Sequence, residues 1–360
     1  MVPASLMRGG TSKGLYFLSK DVPDNKDDLT KFLLAAMGSP DERQIDGVGG
    51  GHPLTSKVAI VGPSTHKDAD IDYLFLQVFV DKAEVSDTQN CGNILAGVGP
   101  FAIEQGLITP QDDFTDVRIY MVNTGALAVA RVETPAGKVN YEGSASIDGV
   151  PGTSAPVLID FLDVAGSSCG SLFPTGNSMD FIRDTPVTCI DNGMPVVLIR
   201  ASDLGITGNE SPAELEANDE LKAKVESIRF KAGEIMNLGD VTNKTIPKIS
   251  LISPPSMGGV VNTRTFIPQR VHEAIGVLGS VSVATACMLK GTVASDYVER
   301  AQTDGTFSVK VEHPTGAFIV EMEIEDSADI ANFKVVRSAL LRTARLLMRG
   351  EVFVVDEALA

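Results

Sequence analysis

Hydrophobic positions along the chain follow two periods. Runs with strand character cover 57–61 (Lys57-Val58-Ala59-Ile60-Val61) and 73–80, and an apolar strand ends at Leu18 after a polar, glycine-containing turn. Between them, Leu29, Phe32, Leu33 and Ala36 recur at helical spacing, which predicts an amphipathic helix over 29–37. A nearly unbroken apolar segment at 94–105, closed by Gly106, predicts a buried helix. Strands at 117–122, 126–132 and 139–141 follow.

The order then begins again. Residues 189–195 lead into a strand at 196–199, and a long polar helix is predicted over 213–236. Strands follow at 249–252 and 262–267. Gly279 and Ser280 open a helix over 281–289. Thr55-Ser56-Lys57 before one apolar strand is echoed by Ile246-Pro247-Lys248 before another, and each strand is followed by a second strand and a small-residue turn that opens an apolar helix. The chain reads as two related α/β halves with a boundary near residue 184. In such a duplicated unit the natural place for a ligand is the cleft where equivalent loops face each other.

Composition narrows the function. A length of 360 residues suits two domains with real cores, and 34 Gly and 19 Pro argue against a simple helical bundle. No apolar run is long enough to span a bilayer, and Met1 leads almost directly into a strand-like segment, so no membrane partner is expected. Thirty basic against 47 acidic residues give a net charge of −17, which argues against nucleic acid as a partner. A small anionic substrate stays compatible, because it feels the local pocket rather than the total charge. Cys91, Cys169, Cys189 and Cys287 lie far apart without a C-x-x-C pair, so a reducing cytoplasm is expected. The four histidines show no metal-ligand spacing, and no metal or other cofactor is predicted.

The candidate chemistry sits in turns. Asn90, Cys91, Gly92 and Asn93 open the first apolar helix, and Gly279 and Ser280 open the second. The free N–H groups of a helix's first turn, with the helix dipole, suit a carboxylate. Cys91 stands where a helix N-terminus favours a thiolate. Lys57 enters an apolar strand, where partial desolvation favours a neutral, basic amine. The glycine-rich stretch 47–51 before it is neither a P-loop nor a dinucleotide fingerprint, because a strand rather than a helix follows. Arg8, Lys13, Lys248, Arg264 and Arg270 also fall in or beside the turn motifs, a local cationic bias that fits a polyanionic small molecule.

Several of these segments together resemble the PrpF family of 2-methylaconitate cis–trans isomerase-like proteins. They are Met7-Arg8-Gly9-Gly10-Thr11-Ser12-Lys13-Gly14, Thr55-Ser56-Lys57-Val58-Ala59-Ile60, Asn90-Cys91-Gly92-Asn93, Asn192-Gly193-Met194-Pro195 and Arg342-Thr343-Ala344-Arg345. Within the family the likeness is to 4-oxalomesaconate tautomerases and Δ-isomerases of protocatechuate, gallate and lignin-aromatic catabolism. The resemblance implies a diaminopimelate-epimerase-like α/β (α+β) fold. Its two pseudo-symmetric domains, 1–184 and 185–348, would each hold a curled, mostly antiparallel sheet around a central helix, with 349–360 returning to the first. It also implies a cofactor-independent isomerase acting on an unsaturated keto-tricarboxylate, with room for a homodimer. Methylaconitate or aconitate as substrate, and a non-catalytic carboxylate-binding protein, are the alternatives.

By the same resemblance Lys57 is the catalytic base and Cys91 its assistant. Substrate contacts fall on Arg8, Gly10, Thr11, Ser12, Ser56, Asn90, Gly92, Asn93 and Met194, and on Lys248, Arg264, Gly279 and Ser280 of the second half. Epimerases of this fold use a cysteine from each half. Here Gly279-Ser280 occupies the second position, and a hydroxyl is a poor partner for a thiol in proton exchange, which argues against racemase chemistry.

Overall fold

Strand pairing builds the first unit around one helix. Its elements are β1 (Val2–Gly9), β2 (Ser12–Leu18), α1 (Lys26–Met37), β3 (Lys57–Pro63), β4 (Ile71–Val78), β5 (Val85–Ser86), α2 (Gly92–Glu104), β6 (Phe114–Met121), β7 (Ala126–Glu133) and β8 (Pro156–Leu162). The sheet runs β1-β2-β3-β4-β6-β7-β8; β2/β3 and β4/β6 are parallel and the other pairs antiparallel. Helix α2 touches seven of these strands, from β1 to β8, and every residue from Ile94 to Ile103 is buried. That is why its sequence is apolar on all sides rather than amphipathic. Helix α1 packs on the other face through Phe32, Leu33, Ala36 and Met37, against Leu15, Phe17, Val58 and Ile60. Asn25 caps it by accepting from Asp27 N at 2.8 Å.

The second unit repeats the plan with β9 (Asp180–Ile182), β10 (Thr185–Asp191), β11 (Pro195–Arg200), α3 (Pro212–Ala217), α4 (Asp219–Ile235), β12 (Lys248–Ser253), β13 (Val261–Phe266), α5 (Val277–Met288), β14 (Gly305–His313), β15 (Gly316–Glu325) and β16 (Lys334–Val352). Again two parallel pairs, β11/β12 and β13/β14, alternate with antiparallel ones. Lys57 and Lys248 each open the strand that runs parallel to its predecessor. Helix α5 is buried along its length, as α2 is.

The computed structural model describes residues 1–87, 91–162, 164–268, 270–298, 305–325 and 333–354. The compact units are Met1–Leu162 with Leu341–Ala360, and Asp163–Leu340. The change of unit falls at the end of β8, before the 184/185 junction expected from the sequence, because the segment leading to β10 folds onto it: Asp191 Oδ2 accepts from Ser168 N at 2.8 Å and Cys169 N at 2.9 Å. The chain returns to the first unit at Leu341 rather than 349, through β16, whose end pairs with β1 from Gly9↔Ala344 to Val2↔Val352.

Three local expectations change. The polar helix expected over 213–236 is two helices, broken at Asn218, whose side chain caps α4 by accepting from Leu221 N at 3.0 Å. Residues 139–141, expected as a strand, form none. Helix α5 begins at Val277 after its N-cap Gly276, a full turn before the expected start.

Glu312 on β14 holds the turn 254–259 in place. Its carboxylate accepts from Ser256 N at 2.7 Å, Met257 N at 2.7 Å and Gly259 N at 2.6 Å. Burial works to raise its pKa, but these backbone donors together outweigh it and hold the carboxyl below its ordinary value. Its stabilising effect is therefore complete at neutral pH and fades as pH falls through the depressed folded value. Glu312→Gln is expected to cost about 2 kcal/mol at pH 7, by loss of charge-assisted hydrogen bonds. Thermal melts should show the difference from wild type shrinking toward pH 4, and an equal gap at both pH values would refute the carboxylate's role.

Candidate active site

Parallel register fixes the position of Lys57. Gly14 of β2 lies level with it, and a Cβ at Gly14 would fall 2.2 Å from the Lys57 carbonyl oxygen, so only glycine lets the two backbones approach this closely. Strand alternation places Lys57, Ala59 and Val61 on the face covered by α2, together with Tyr16, Tyr73, Phe75 and Gln77 of the neighbouring strands. Val58 and Ile60 face α1. Lys57 is thus 8% exposed, with Nζ donating to Cys91 Sγ at 3.5 Å and lying 5.3 Å from the centre of the Phe75 ring.

Cys91 is the N-cap of α2, as the sequence implied, and is almost fully buried. The Tyr73 hydroxyl donates to its carbonyl at 3.3 Å, and the Tyr16 hydroxyl donates to the Ile94 carbonyl at 2.6 Å. Both phenols are pushed well above their ordinary pKa, first by burial and next by Cys91, so both remain neutral donors. They pin the first turn of α2 to the sheet. The first intrahelical bond on this turn is Leu95 N to Cys91 O at 3.0 Å, and no side chain caps the N-terminus among the described residues. Gly92 and Asn93 therefore stand where the N–H groups of the turn point outward.

The turn between β1 and β2 abuts this helix end. Asn93 Nδ2 donates to Thr11 Oγ1 at 3.1 Å, and Gly10, at φ +52°, leaves space that a Cβ would take from Asn93 Oδ1. Arg8 is committed to the protein itself: Nη1 donates to the Gly10 carbonyl at 3.0 Å and to Thr343 Oγ1 at 2.9 Å, and Nη2 to Ser154 Oγ at 3.1 Å. It braces the turn more than it offers charge outward. Ser56 is completely buried, and its hydroxyl accepts from Gln44 Nε2 at 2.7 Å, so it organises the loop before β3. Asn90 lies outside the described residues.

Arg342 was quoted in a motif but not proposed as a functional residue. It is 2% exposed on β16; burial pulls its pKa down, and Cys91 acts in the opposite direction, which places its charge in the electrostatic environment of the thiol. Its only sequence signal is an arginine within a strand-like run, and pairing of a distant strand with β1 is invisible in local periodicity.

In the second unit the expected contacts separate. Ser250↔Thr265 and Leu251↔Arg264 are paired, so Lys248 and Ser250 share the α5 face while Arg264 lies with Leu251 on the α4 face. Arg264 Nε donates to the Glu210 carbonyl at 2.6 Å and Nη1 to Asn262 Oδ1 at 2.9 Å, tying down the loop before α3. Its expected partnership with Lys248 is corrected by this alternation. Lys248 is half-buried, its pKa lowered by burial and then by Arg229; it lowers that of His272 in turn, after burial. Because α5 starts at Val277, Ser280 lies inside the first turn, buried, with its hydroxyl donating to the Val277 carbonyl at 2.7 Å. Gly279 is likewise within the helix. Contrary to the expectation from sequence, neither opens it; Gly276, at the head of the same run, does. Met194 is half-buried against the α5 core and presents its carbonyl to Ser282 Oγ at 2.7 Å.

Gly14→Ala tests whether the site depends on this backbone approach. The added methyl must push β2 from β3 at Lys57, and it is expected to lower the melting temperature by several degrees and kcat more than tenfold. Normal activity in a stable Gly14→Ala protein would show that the register does not control the lysine.

The PrpF protein family model matches residues 1–355. The chain is 57% identical over 352 residues to the (4E)-oxalomesaconate Delta-isomerase of Novosphingobium sp. (strain KA1), covering 98% of this chain and 97% of that protein. It is 54% identical over 351 residues to the 4-oxalomesaconate tautomerase of Pseudomonas putida, covering 98% and 95%. The crystal structure of a methylitaconate-delta-isomerase superposes with a TM-score of 0.87 at 36% identity, covering 100% of this chain and 97% of that one. With its doubled strand-and-helix units and its match along nearly the whole sequence, the chain belongs to the PrpF family.

Proposed function

We propose that this protein is a cofactor-independent isomerase that moves a C=C bond in 4-oxalomesaconate by a 1,3-proton shift. The observation that carries this reading is the buried Lys57 Nζ, 3.5 Å from a cysteine at a helix N-terminus, on a scaffold shared with relatives named as an oxalomesaconate Delta-isomerase and an oxalomesaconate tautomerase. The keto-tricarboxylate acidifies its own allylic C–H through the adjacent carbonyl. Lys57, in its free-amine form, removes that proton. The charge of the resulting dienolate falls on oxygens that the first-turn N–H groups of α2 stabilise, and electrostatic stabilisation of this kind is commonly the largest contribution to such catalysis. Lys57 then returns a proton to the far allylic carbon, with Cys91 polarising the substrate. Four buried free cysteines suit a reducing cytoplasm.

The one-base mechanism separates the two side chains. Following 4-oxalomesaconate by ultraviolet absorbance, Lys57→Ala is expected to lose roughly 10²–10⁴ in kcat while its circular dichroism is unchanged, the usual size of general acid–base catalysis. Cys91→Ser should retain measurable turnover. Equal inactivation of both variants would replace the single base with a lysine–thiol pair. Turnover of methylaconitate or aconitate in preference to 4-oxalomesaconate would move the protein to another branch of the same chemistry.

A further inference from the structure

In the second unit a histidine shares the face of the lysine that opens β12. Ser250 is level with Thr265, and their hydroxyls are 2.9 Å apart. Beyond β13 the chain doubles back: Phe266 bridges to Val271, and His272 N donates to the Thr265 carbonyl at 2.9 Å. Phe266 and Val271 both belong to the core that packs on α4. Strand alternation therefore puts Thr265 and His272 on the α5 face, with Lys248 and Ser250. The lysine's charge reaches the ring: after burial, Lys248 is the main influence lowering the His272 pKa, and the adjoining Glu273 opposes it. On that face β13 contributes only the neutral Thr265, and the first turn of α5 contributes nothing ionisable. Lys248 itself lacks a counter-ion. Burial and the cation Arg229 pull its pKa down, and no carboxylate among the described residues opposes them. His272 Nδ1 accepts from Ala274 N at 2.9 Å, which fixes the ring and leaves its proton on Nε2. Two half-buried donors thus stand on one face, and among the described residues neither has an acceptor.

We infer that His272 is a specificity-determining residue: its Nε2–H joins the Lys248 amine in holding one carboxylate of a polycarboxylate ligand, and that carboxylate is bound together with a proton on the imidazole. In the empty protein, burial and the nearby lysine keep the ring neutral at pH 7. A carboxylate between the two groups offsets the lysine's field, so ligand binding and ring protonation favour each other. Affinity then rises as pH falls through the window between the ring's empty and filled titration midpoints, by up to about tenfold per pH unit for one linked proton. The pair is the second unit's version of Lys57 with Cys91. In each unit the lysine opens the strand that runs parallel to its predecessor, and its partner belongs to the segment leading into the buried helix. The second unit has an imidazole where the first has a thiol. That the ligand is an unsaturated keto-tricarboxylate rests on the isomerase reading above, whereas the proton-linked anion site does not.

With four histidines in the chain, the titration of each ring can be followed separately by NMR. The probe is propane-1,2,3-tricarboxylate, which matches the proposed substrate in charge but has no double bond to move. In wild-type protein, saturating probe is expected to raise the His272 midpoint by about one pH unit, the shift that a tenfold coupling produces. His272→Gln keeps an N–H donor but does not titrate. Calorimetry between about pH 6 and 8 should show affinity for the probe climbing toward low pH more steeply in wild type than in this variant. With 4-oxalomesaconate, His272→Gln should raise KM more than it lowers kcat. An unmoved wild-type midpoint, no binding of the probe by wild type, or equal pH slopes in the two proteins would each overturn the assignment. The midpoint is read on wild-type protein, so it decides the matter whether or not the variant folds. A midpoint that rises with the probe in a protein that does not convert 4-oxalomesaconate would remove the functional reading and leave this site standing.

Discussion

A buried lysine set against a helix N-terminus is the arrangement around which the first unit is built. A helix N-terminus carries partial positive charge, and an amine removed from water needs a compensating partner. Lys57 is 8% exposed, and among the described residues its amine meets the sulfur of Cys91 and the ring of Phe75 rather than a carboxylate. A net charge of −17 is compatible with a small anionic ligand at such a place, because most acidic residues are exposed and screened by solvent.

Holding that arrangement in place accounts for much of the first unit's sequence. Tyr16 and Tyr73 reach from two strands to carbonyls in the first turn of α2, Gly14 lets β2 pass close to Lys57, and Gln44 and Gln77 secure the segment before it. The second unit has the same strand order and a lysine at the same point of it, but its helix is capped by Gly276 where the first has Cys91. The duplication therefore preserved the scaffold and the cation and kept the thiol in one unit. Arg264 and Glu312 show that charged residues in the second unit are often engaged by the loops around them.

What could be read from the sequence was whatever a local pattern encodes. The strand at Lys57, the helix opened by Cys91 and the echo of one lysine motif in another are short-range signals, and the structure has all three. Registers and faces were not legible. Lys248 and Arg264 appear equally poised as cations in the sequence, yet pairing of Leu251 with Arg264 puts them on opposite sides of one sheet. The start of α5 was misplaced because Gly279 and Ser280 resemble a helix opening, and a helix buried on all sides has no amphipathic edge to mark its first residue. Arg342 stands two residues before Ala344, where the pairing of the last strand with the first begins, and no window of sequence contains that pairing. The unit boundaries moved for the same reason, since β16 contributes its early residues to one unit and its later ones to the other.

The asymmetry between the two units also bears on the stereochemistry of proton transfer. An epimerase must remove a proton from one face of carbon and deliver another to the opposite face, which requires two groups on opposite sides of the substrate. An allylic shift has no such requirement. The carbon that loses the proton and the carbon that receives it are separated by a single atom and share a face of the planar dienolate, so one amine on a flexible four-carbon stem can serve both. In this unit the lysine and the thiol lie 3.5 Å apart, so on the reading proposed above both would approach the substrate from one side. A paired acid across the substrate would promote inversion at carbon, whereas a single base beside a cysteine would return the proton to the face from which it came.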